Sequence, residues 1–559
     1  MKLSELFWFL GGWSVPLGFF FGCLLTSDSD ITESAKISIV VISTIILPII
    51  ITWCNCMRFK RGHNRFNFRD ALGLDAVDIE NTKDFIRATY PPIKKELLAE
   101  FPKDLVVGVD KHGNYIYFPI SLRNGINISI AGGVGSGKST LLINILLTEM
   151  YQDRICKTAK KSGTTFNWFC VDVKGEIYRK LIRINGEYNA SSNSSRVLVI
   201  DPSNRCSYGY DPLYRVKKKN VSETEKIKAI ADIAESLIPD VDNGNDYFTV
   251  NARKILSGIF LYYCDELEFI DIIQKITRSN IMKLIKDIVE NASNEGKNVV
   301  VEKLANFAEL DGNESLQDVL STMYQNLDVF SYPDIIYMLK DNPHRISPAI
   351  LEDGYSCIDL SISESFLATY NQLFRLIVLQ VFKHAESDFK ETDDRRTMII
   401  IDEFARCKKL PVFDGLATLR NRKTSIIMCY QNVNQLLSIY SEAEVNALIN
   451  LCSLQIYLSG TTDKKSTDML SDVVGEYQAE THSYGKSILE TKKDLKFSEN
   501  MRPIITGKSL NSLVPKKEFI AIYFGEYIRA RKLEYFNDTK YLKPIYEEIS
   551  EFNKLHAQD

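Results

Sequence analysis

The sequence predicts an α/β protein: a mostly parallel sheet, interrupted by an all-helical insertion and preceded by two membrane-span candidates. Three observations carry this. A glycine-rich stretch joins a strand-like segment to a helix-like one near residue 132. Short apolar strands alternate with helical stretches on both sides of it, the pattern of a sheet with crossover helices. Two long apolar runs open the chain. At 559 residues the chain exceeds what one core holds, so two or three domains are expected.

Leu6 to Leu25 and Ile37 to Trp53 are the apolar runs. Roughly twenty helical residues cross the hydrocarbon layer, so both are candidates to span it. The short connection carries Asp28, Asp30 and Glu33, whereas Arg58, Lys60, Arg61, Arg65 and Arg69 follow the second run. That asymmetry places the body of the protein and both termini in the cytoplasm, with the acidic hairpin outside. A cleaved signal peptide fits the first run poorly, because no small-residue cleavage site follows it. Residues 1–57 are read as a transmembrane hairpin and 58–100 as a membrane-proximal linker.

A formal charge of −4 gives no global basic signature, so any nucleic-acid contact must come from a local patch or lumen. The eleven cysteines are scattered without a C-x-x-C pair, which suggests a reducing compartment. The six histidines are dispersed and suggest no zinc site.

The central motif is Gly132-Gly133-Val134-Gly135-Ser136-Gly137-Lys138-Ser139-Thr140, which satisfies G-x-x-x-x-G-K-[ST] throughout. A strand over Ile126–Ile130 and a helix over Thr140–Leu147 supply the context this motif requires. Glycines let backbone N–H groups curl around phosphate oxygens, and the helix N-terminus adds partial positive charge. The pattern predicts a bound nucleoside triphosphate, ATP, with Lys138 on the β/γ-phosphates and Ser139 on Mg²⁺. Gly485-Lys486-Ser487 and Gly507-Lys508-Ser509 are not second copies, because Glu480 and Arg502 stand where the first glycine should be.

Further strands are expected at Val106–Val109, Tyr115–Phe118, Thr165–Asp172 and Ser195–Asp201. Almost two hundred residues then separate Asp201 from the next strong strand, Thr397–Asp402. Helical periodicity at Glu223–Leu237 and Asn251–Glu266 makes 215–340 an inserted all-α domain within a nucleotide-binding domain of 101–214 and 341–540. Strands at Glu518–Tyr523 and Lys532–Phe536 and a helix in 541–559 close the chain.

Met398-Ile399-Ile400-Ile401-Asp402-Glu403 is an apolar strand ending in two acids. Beside a P-loop, Asp402 is expected to hold Mg²⁺ through water and Glu403 to polarise the attacking water. Ser425–Gln431 is a strand ending in a glutamine, and Gln431 is the candidate sensor of the γ-phosphate. Arg420 is the first candidate for an arginine supplied to a neighbouring subunit's site, and Arg422 the second.

These segments resemble the type IV secretion coupling proteins, the TraG/TraD-like family. Asp172-Val173-Lys174-Gly175-Glu176 is similar to its D-x-K-G-E element, and Asp201-Pro202 with Tyr210-Asp211-Pro212-Leu213 to its D-P…N-P-L segment, Asp211 replacing Asn. Asp402-Glu403-Phe404 matches D-E-F. Gln431-Asn432-Val433-Asn434-Gln435-Leu436 matches Q-S-x-x-Q-L, with Asn432 replacing Ser. Gly460-Thr461-Thr462-Asp463, Arg502-Pro503 and Lys532-Leu533-Glu534-Tyr535-Phe536 fit its C-terminal pattern, so the likeness runs from about 100 to 538. It implies a RecA-like P-loop motor, hexameric and multi-pass in the bacterial inner membrane. Such a ring passes a relaxase–DNA complex to a type IV secretion channel at the expense of ATP. It also implies that Arg420 acts in trans. DNA would be held single-stranded by its phosphates in the ring lumen, without sequence preference. A long acidic tail of the kind some members use for docking is not seen, which turns recruitment toward the helical domain or an adaptor.

Two alternatives share the fold: a coupling protein for protein effectors only, and an FtsK/HerA-type DNA translocase. The second expects more spans or a sequence-reading terminal domain. An ABC subunit is disfavoured because no L-S-G-G-Q-like signature separates the P-loop from the acid pair. A membrane receptor that binds ATP only to assemble is the non-enzymatic reading, opposed by the intact Lys138, Asp402, Glu403 and Gln431.

Overall fold

The computed structural model describes residues 79–80, 88–119, 125–158, 166–173, 175–181, 196–240, 246–310, 313–353, 356–363, 365–387, 396–407, 409–410, 412–460, 463–485, 494–507, 510, 513 and 517–555. Both expected membrane spans and most of the linker lie outside these residues. Among the described residues no helix is long and apolar enough to cross a membrane.

Ile93–Met469 and Gly507–Asp559 form one compact unit. Among the described residues its sheet has twelve strands: β1 (Leu98–Ala99), β2 (Leu105–Val109), β3 (Tyr115–Phe118), β4 (Ile128–Ala131), β5 (Phe166–Asp172), β6 (Arg196–Ile200), β7 (Ser356–Ser361), β8 (Arg396–Ile401), β9 (Thr424–Tyr430), β10 (Leu454–Tyr457), β11 (Glu518–Tyr523) and β12 (Glu526–Lys532). The spatial order is β1-β3-β2-β12-β11-β10-β4-β9-β8-β5-β7-β6. From β10 to β6 every pairing is parallel, and from β11 to β1 every pairing is antiparallel. The central strand β4 therefore lies between β9 and β10, and β9 separates it from β8.

Alternate residues of these strands fill a core on one face of the sheet. Ile128, Ile130, Ile400, Ile427, Cys429 and Ile456 pack with Leu142, Ile145 and Leu146 of the long helix Lys138–Thr158, and with Leu542, Ile545 and Ile549 of the helix Leu542–Leu555. The intervening residues, such as Ile399, Ile401 and Ile426, are fully buried too. Burial on both faces explains why β8 and β9 read as continuous apolar runs rather than alternating ones.

Strand β7 escaped the sequence reading. It occupies a fully enclosed position between β5 and β6 yet reads Ser-Cys-Ile-Asp-Leu-Ser, with Asp359 and Ser361 buried. Polar residues at enclosed positions mask the apolar run on which recognition depends. The last strand is also displaced: the expected Lys532–Phe536 is in fact Glu526–Lys532, with a 3₁₀ turn at Tyr535–Asn537. The cause is Asn144 of the long helix. Its amide donates to Leu533 O (2.7 Å) and its carbonyl accepts from Tyr535 N (3.0 Å), drawing the chain off the sheet directly after Lys532.

Between β6 and β7 the chain is mainly helical from Glu223 to Asp341. The first of these helices, Glu223–Leu237, starts at a capping box in which Ser222 and Glu225 satisfy each other's backbone N–H groups. Ala229, Ile230, Ile233, Ala234 and Leu237 form its buried stripe. A two-residue parallel bridge, Gly209–Tyr210 with Arg345–Ile346, ties the two ends of the excursion together. Tyr210 is fully buried there and donates to Gln380 Oε1 (2.7 Å). Asp211, standing for the family's Asn, accepts from Leu213 N (3.0 Å), a turn bond either side chain can make.

Leu470–Thr506 and the described residues before Ile93 form a separate unit. Its main feature is a ten-residue antiparallel hairpin, Glu476–Gly485 with Asp494–Pro503, to which Ile79–Glu80 adds a third strand.

Candidate active site

The P-loop leaves the carboxyl end of β4 and is held from both sides by backbone bonds: Gly132 N donates to Tyr430 O (3.1 Å) and Gly133 N to Ser459 O (3.0 Å). Space allows nothing larger than glycine here. A Cβ on Gly132 would lie 2.4 Å from Ser136 Oγ, and one on Gly133 would lie 2.7 Å from the Gly460 carbonyl oxygen. Gly135 and Gly137 have φ of +72° and +96°, the left-handed region that curls the loop back on itself. Val134 at the tip is 86 % exposed. Lys138 is the first residue of the 21-residue helix. It is buried, and its Nζ donates to Gly132 O (2.6 Å) and Gly133 O (3.4 Å). Ser139 and Thr140 follow, half-buried, in the first turn. The Ser136 hydroxyl is buried and has no hydrogen-bond partner among the described residues.

The acid pair closes β8, with Asp402 N donating to Val171 O (3.1 Å) of the neighbouring β5. Both Asp402 and Glu403 are buried. Glu403 takes a left-handed backbone, φ 56° and ψ 51°. A non-glycine residue there costs on the order of 1–3 kcal/mol and is held only when its surroundings demand it. The demand is visible: its carboxylate lies 3.9 Å from Lys138 Nζ and accepts from Gln431 Nε2 at 3.2 and 3.4 Å. Gln431 stands at the end of β9, the strand between the P-loop and the acids. Its own N–H donates to Gln435 Oε1 (3.2 Å), and Asn432 Oδ1 caps the following helix through Gln435 N (3.0 Å). Asn432 thereby does what the family's serine can do at a helix start.

Lys138, Glu403 and Gln431 are thus brought together, and Arg420 is not. Arg420 lies in a 3₁₀ turn at the opposite end of β9, where its carbonyl accepts from Gly125 N (3.1 Å) and Lys423 N (3.2 Å). The length of β9, roughly 20 Å at ~3.3 Å per residue, separates it from the P-loop of its own chain. Arg422 sits in the same turn, exposed.

The model of the type IV secretory system conjugative DNA transfer family matches residues 165–557. The chain belongs to this family. It also shares its fold with the conjugative coupling protein TrwB. The bacterial TrwBΔN70 in complex with sulphate superposes with a TM-score of 0.56 at 17% identity, over 77% of this chain and 89% of that one. Plasmid TrwB with the GTP analogue GDPNP gives 0.56 at 16%, over 82% and 93%. TrwB with ADP and Mg²⁺ gives 0.57 at 16%, over 79% and 93%. No curated protein matches the chain.

Three further features of the structure were not interpreted by motif reading, the first two at the P-loop. Gly460, φ +85°, packs its backbone against Gly133 and completes the wall of the P-loop. Lys532, at the end of β12, donates to Ser136 O (2.7 Å) from the other side. Asp359 is fully buried on β7 with neither carboxylate oxygen hydrogen-bonded among the described residues. Burial, with the nearby charges of Asp172 and Asp201, pushes its carboxyl well above the usual range. Its neighbour Asp172 is spent on structure, accepting from Glu176 N (3.2 Å) and Ile177 N (2.7 Å) at a helix start.

Proposed function

We propose that this protein is a membrane-anchored P-loop ATPase that couples a relaxase–DNA substrate to a type IV secretion channel and drives conjugative DNA transfer by ATP hydrolysis. One observation carries the reading: in a chain of the conjugative transfer family, the Lys138 ammonium, the Glu403 carboxylate and the Gln431 amide converge at the mouth of a glycine cradle. The cradle suits a phosphate chain. Its glycines tolerate no Cβ at 132 or 133, and the buried Ser136 hydroxyl has a free hydrogen-bonding capacity.

Lys138 would leave the loop carbonyls for the β/γ-phosphates. Ser139 and, through water, Asp402 would hold Mg²⁺, which when bound neutralises charge on the transferred phosphoryl group. Glu403 would orient the attacking water and accept its proton, and Gln431 would fix the Glu403 carboxylate and report the γ-phosphate to the rest of β9. Arg420, too remote from its own P-loop, would complete the site of the adjacent protomer in a homo-hexamer. Residues 1–57 would anchor the ring in the inner membrane.

ATP turnover by the full-length protein in detergent, with and without single-stranded DNA, tests the reading. Expected are turnover that rises with DNA and with protein concentration, and loss of both turnover and plasmid transfer in E403Q. Wild-type protein that hydrolyses no ATP in the presence of DNA and its channel partners would refute it. Turnover indifferent to DNA would favour a coupling protein for protein effectors.

A further inference from the structure

We propose that Lys532 is a second cation for the phosphate chain of the bound nucleotide, acting from the Gly137 side of the P-loop while Lys138 acts from the Gly132–Gly133 side. The proposal rests on the nucleotide-site reading above and extends it to a residue 394 positions further along the chain than Lys138.

A cavity of about 140 Å³ opens between the loop and the end of β12, lined by Gly135, Ser136, Gly137 and Thr140 on one side and by Lys532 and Glu534 on the other. It is smaller than the ~300–1,000 Å³ of pockets that enclose a whole ligand, so it takes one part of a nucleotide. Lys532 Nζ reaches into the P-loop wall. It donates to Ser136 O (2.7 Å), and a Cβ on Gly137 would come within 3.5 Å of it. Among the described residues no carboxylate lies within ion-pair distance of this half-buried ammonium, and its hydrogen-bond partner there is a neutral carbonyl. Glu534, whose charge acts on Lys532 from beyond ion-pair distance, is engaged directly with Lys517 (3.0 Å) and Asn537. A cation removed from water without a directly paired counter-ion is costly, and here burial lowers the Lys532 pKa more than the Glu534 charge raises it. A phosphate oxygen in the loop would supply the missing charge through a charge-assisted hydrogen bond.

The placement is rigid. Lys532 N donates to Lys517 O (2.8 Å), and Asn144 holds the next residues by two buried bonds. A lysine that merely capped a strand would not need its following residues clamped to the P-loop helix.

Two variants separate charge from structure. K532Q keeps an N–H donor for the Ser136 carbonyl but loses the charge, and K532R keeps both. With fluorescent ADP and ATP on the detergent-solubilised full chain, K532Q should bind about tenfold more weakly and K532R within about threefold of wild type. Wild-type affinity in K532Q, or equal loss in K532R, overturns the proposal. Amine acylation of the wild-type protein, read by mass spectrometry, gives the same answer without a variant: ADP and inorganic pyrophosphate should each shield Lys532, and unchanged labelling counts against it. K138A separates the two readings. If wild type binds nucleotide, K138A does not, and K532Q binds normally, the assignment of Lys532 alone falls. If wild type binds none, both fall.

Discussion

Arg420 offers a perturbation whose outcome the geometry dictates. It stands at the amino end of β9, and Gln431 follows its carboxyl end. Seven residues of strand at ~3.3 Å each place the two roughly 20 Å apart, beyond the reach of any side chain. Under the proposed function, Arg420 acts in the site of a neighbouring subunit. Loss of such an arginine costs about 10³–10⁵ in turnover, so R420A and E403Q should each be nearly inactive alone. Mixed 1:1 under conditions that allow subunit exchange, they should recover. A random assembly joins an intact Glu403 to an intact Arg420 at about one interface in four, so activity should approach a quarter of wild type from parents about a thousandfold lower. The assay is steady-state phosphate release against mixing ratio, with a maximum expected near equal amounts. A flat line joining the two parents would refute the shared site, and so would an R420A protein with wild-type turnover.

Asp359 should make stability fall as pH rises. Its folded-state carboxyl titrates above the ordinary value of 3.8, so the stabilisation is complete below that value. It is lost as pH climbs toward the folded pKa, at about 1.4 kcal/mol per unit. D359N should flatten this slope and raise the thermal midpoint at pH 7, whereas a lower midpoint at pH 7 would mean that the carboxylate has a stabilising partner. Asn144 should be required for the position of the chain after β12. N144A leaves Leu533 O and Tyr535 N without their buried partner, a loss of about 1–3 kcal/mol seen as a lower thermal midpoint, with weaker nucleotide binding if Lys532 moves as well.

Much of the site was legible in the sequence because P-loop chemistry is local. The glycines, Lys138 and the helix that follows are contiguous, and the acid pair ends an apolar run long enough to recognise. Gln431 could be placed for the same reason, since it terminates another such run. What could not be read depends on packing between distant segments. Strand β7 was hidden because Asp359 and Ser361 are polar where the sheet is enclosed. The true end of β12 is set by Asn144, almost four hundred residues earlier, and no spacing within Lys532–Phe536 reveals a side chain that pulls the strand away. Lys532 was part of a recognisable C-terminal pattern, but only the fold brings it to Ser136. The left-handed backbone of Glu403 is likewise a product of its surroundings, imposed where the carboxylate must meet Lys138 and Gln431.

In the proposed function Lys138 binds the phosphates while Glu403 serves hydrolysis, and one paired measurement separates those roles. ATP affinity and single-turnover hydrolysis should be measured on the same preparations of wild type, K138A and E403Q. K138A should lose binding, and E403Q should bind ATP at least as tightly as wild type while its hydrolysis falls by about 10²–10³. An E403Q protein that hydrolyses bound ATP at the wild-type rate would contradict that reading.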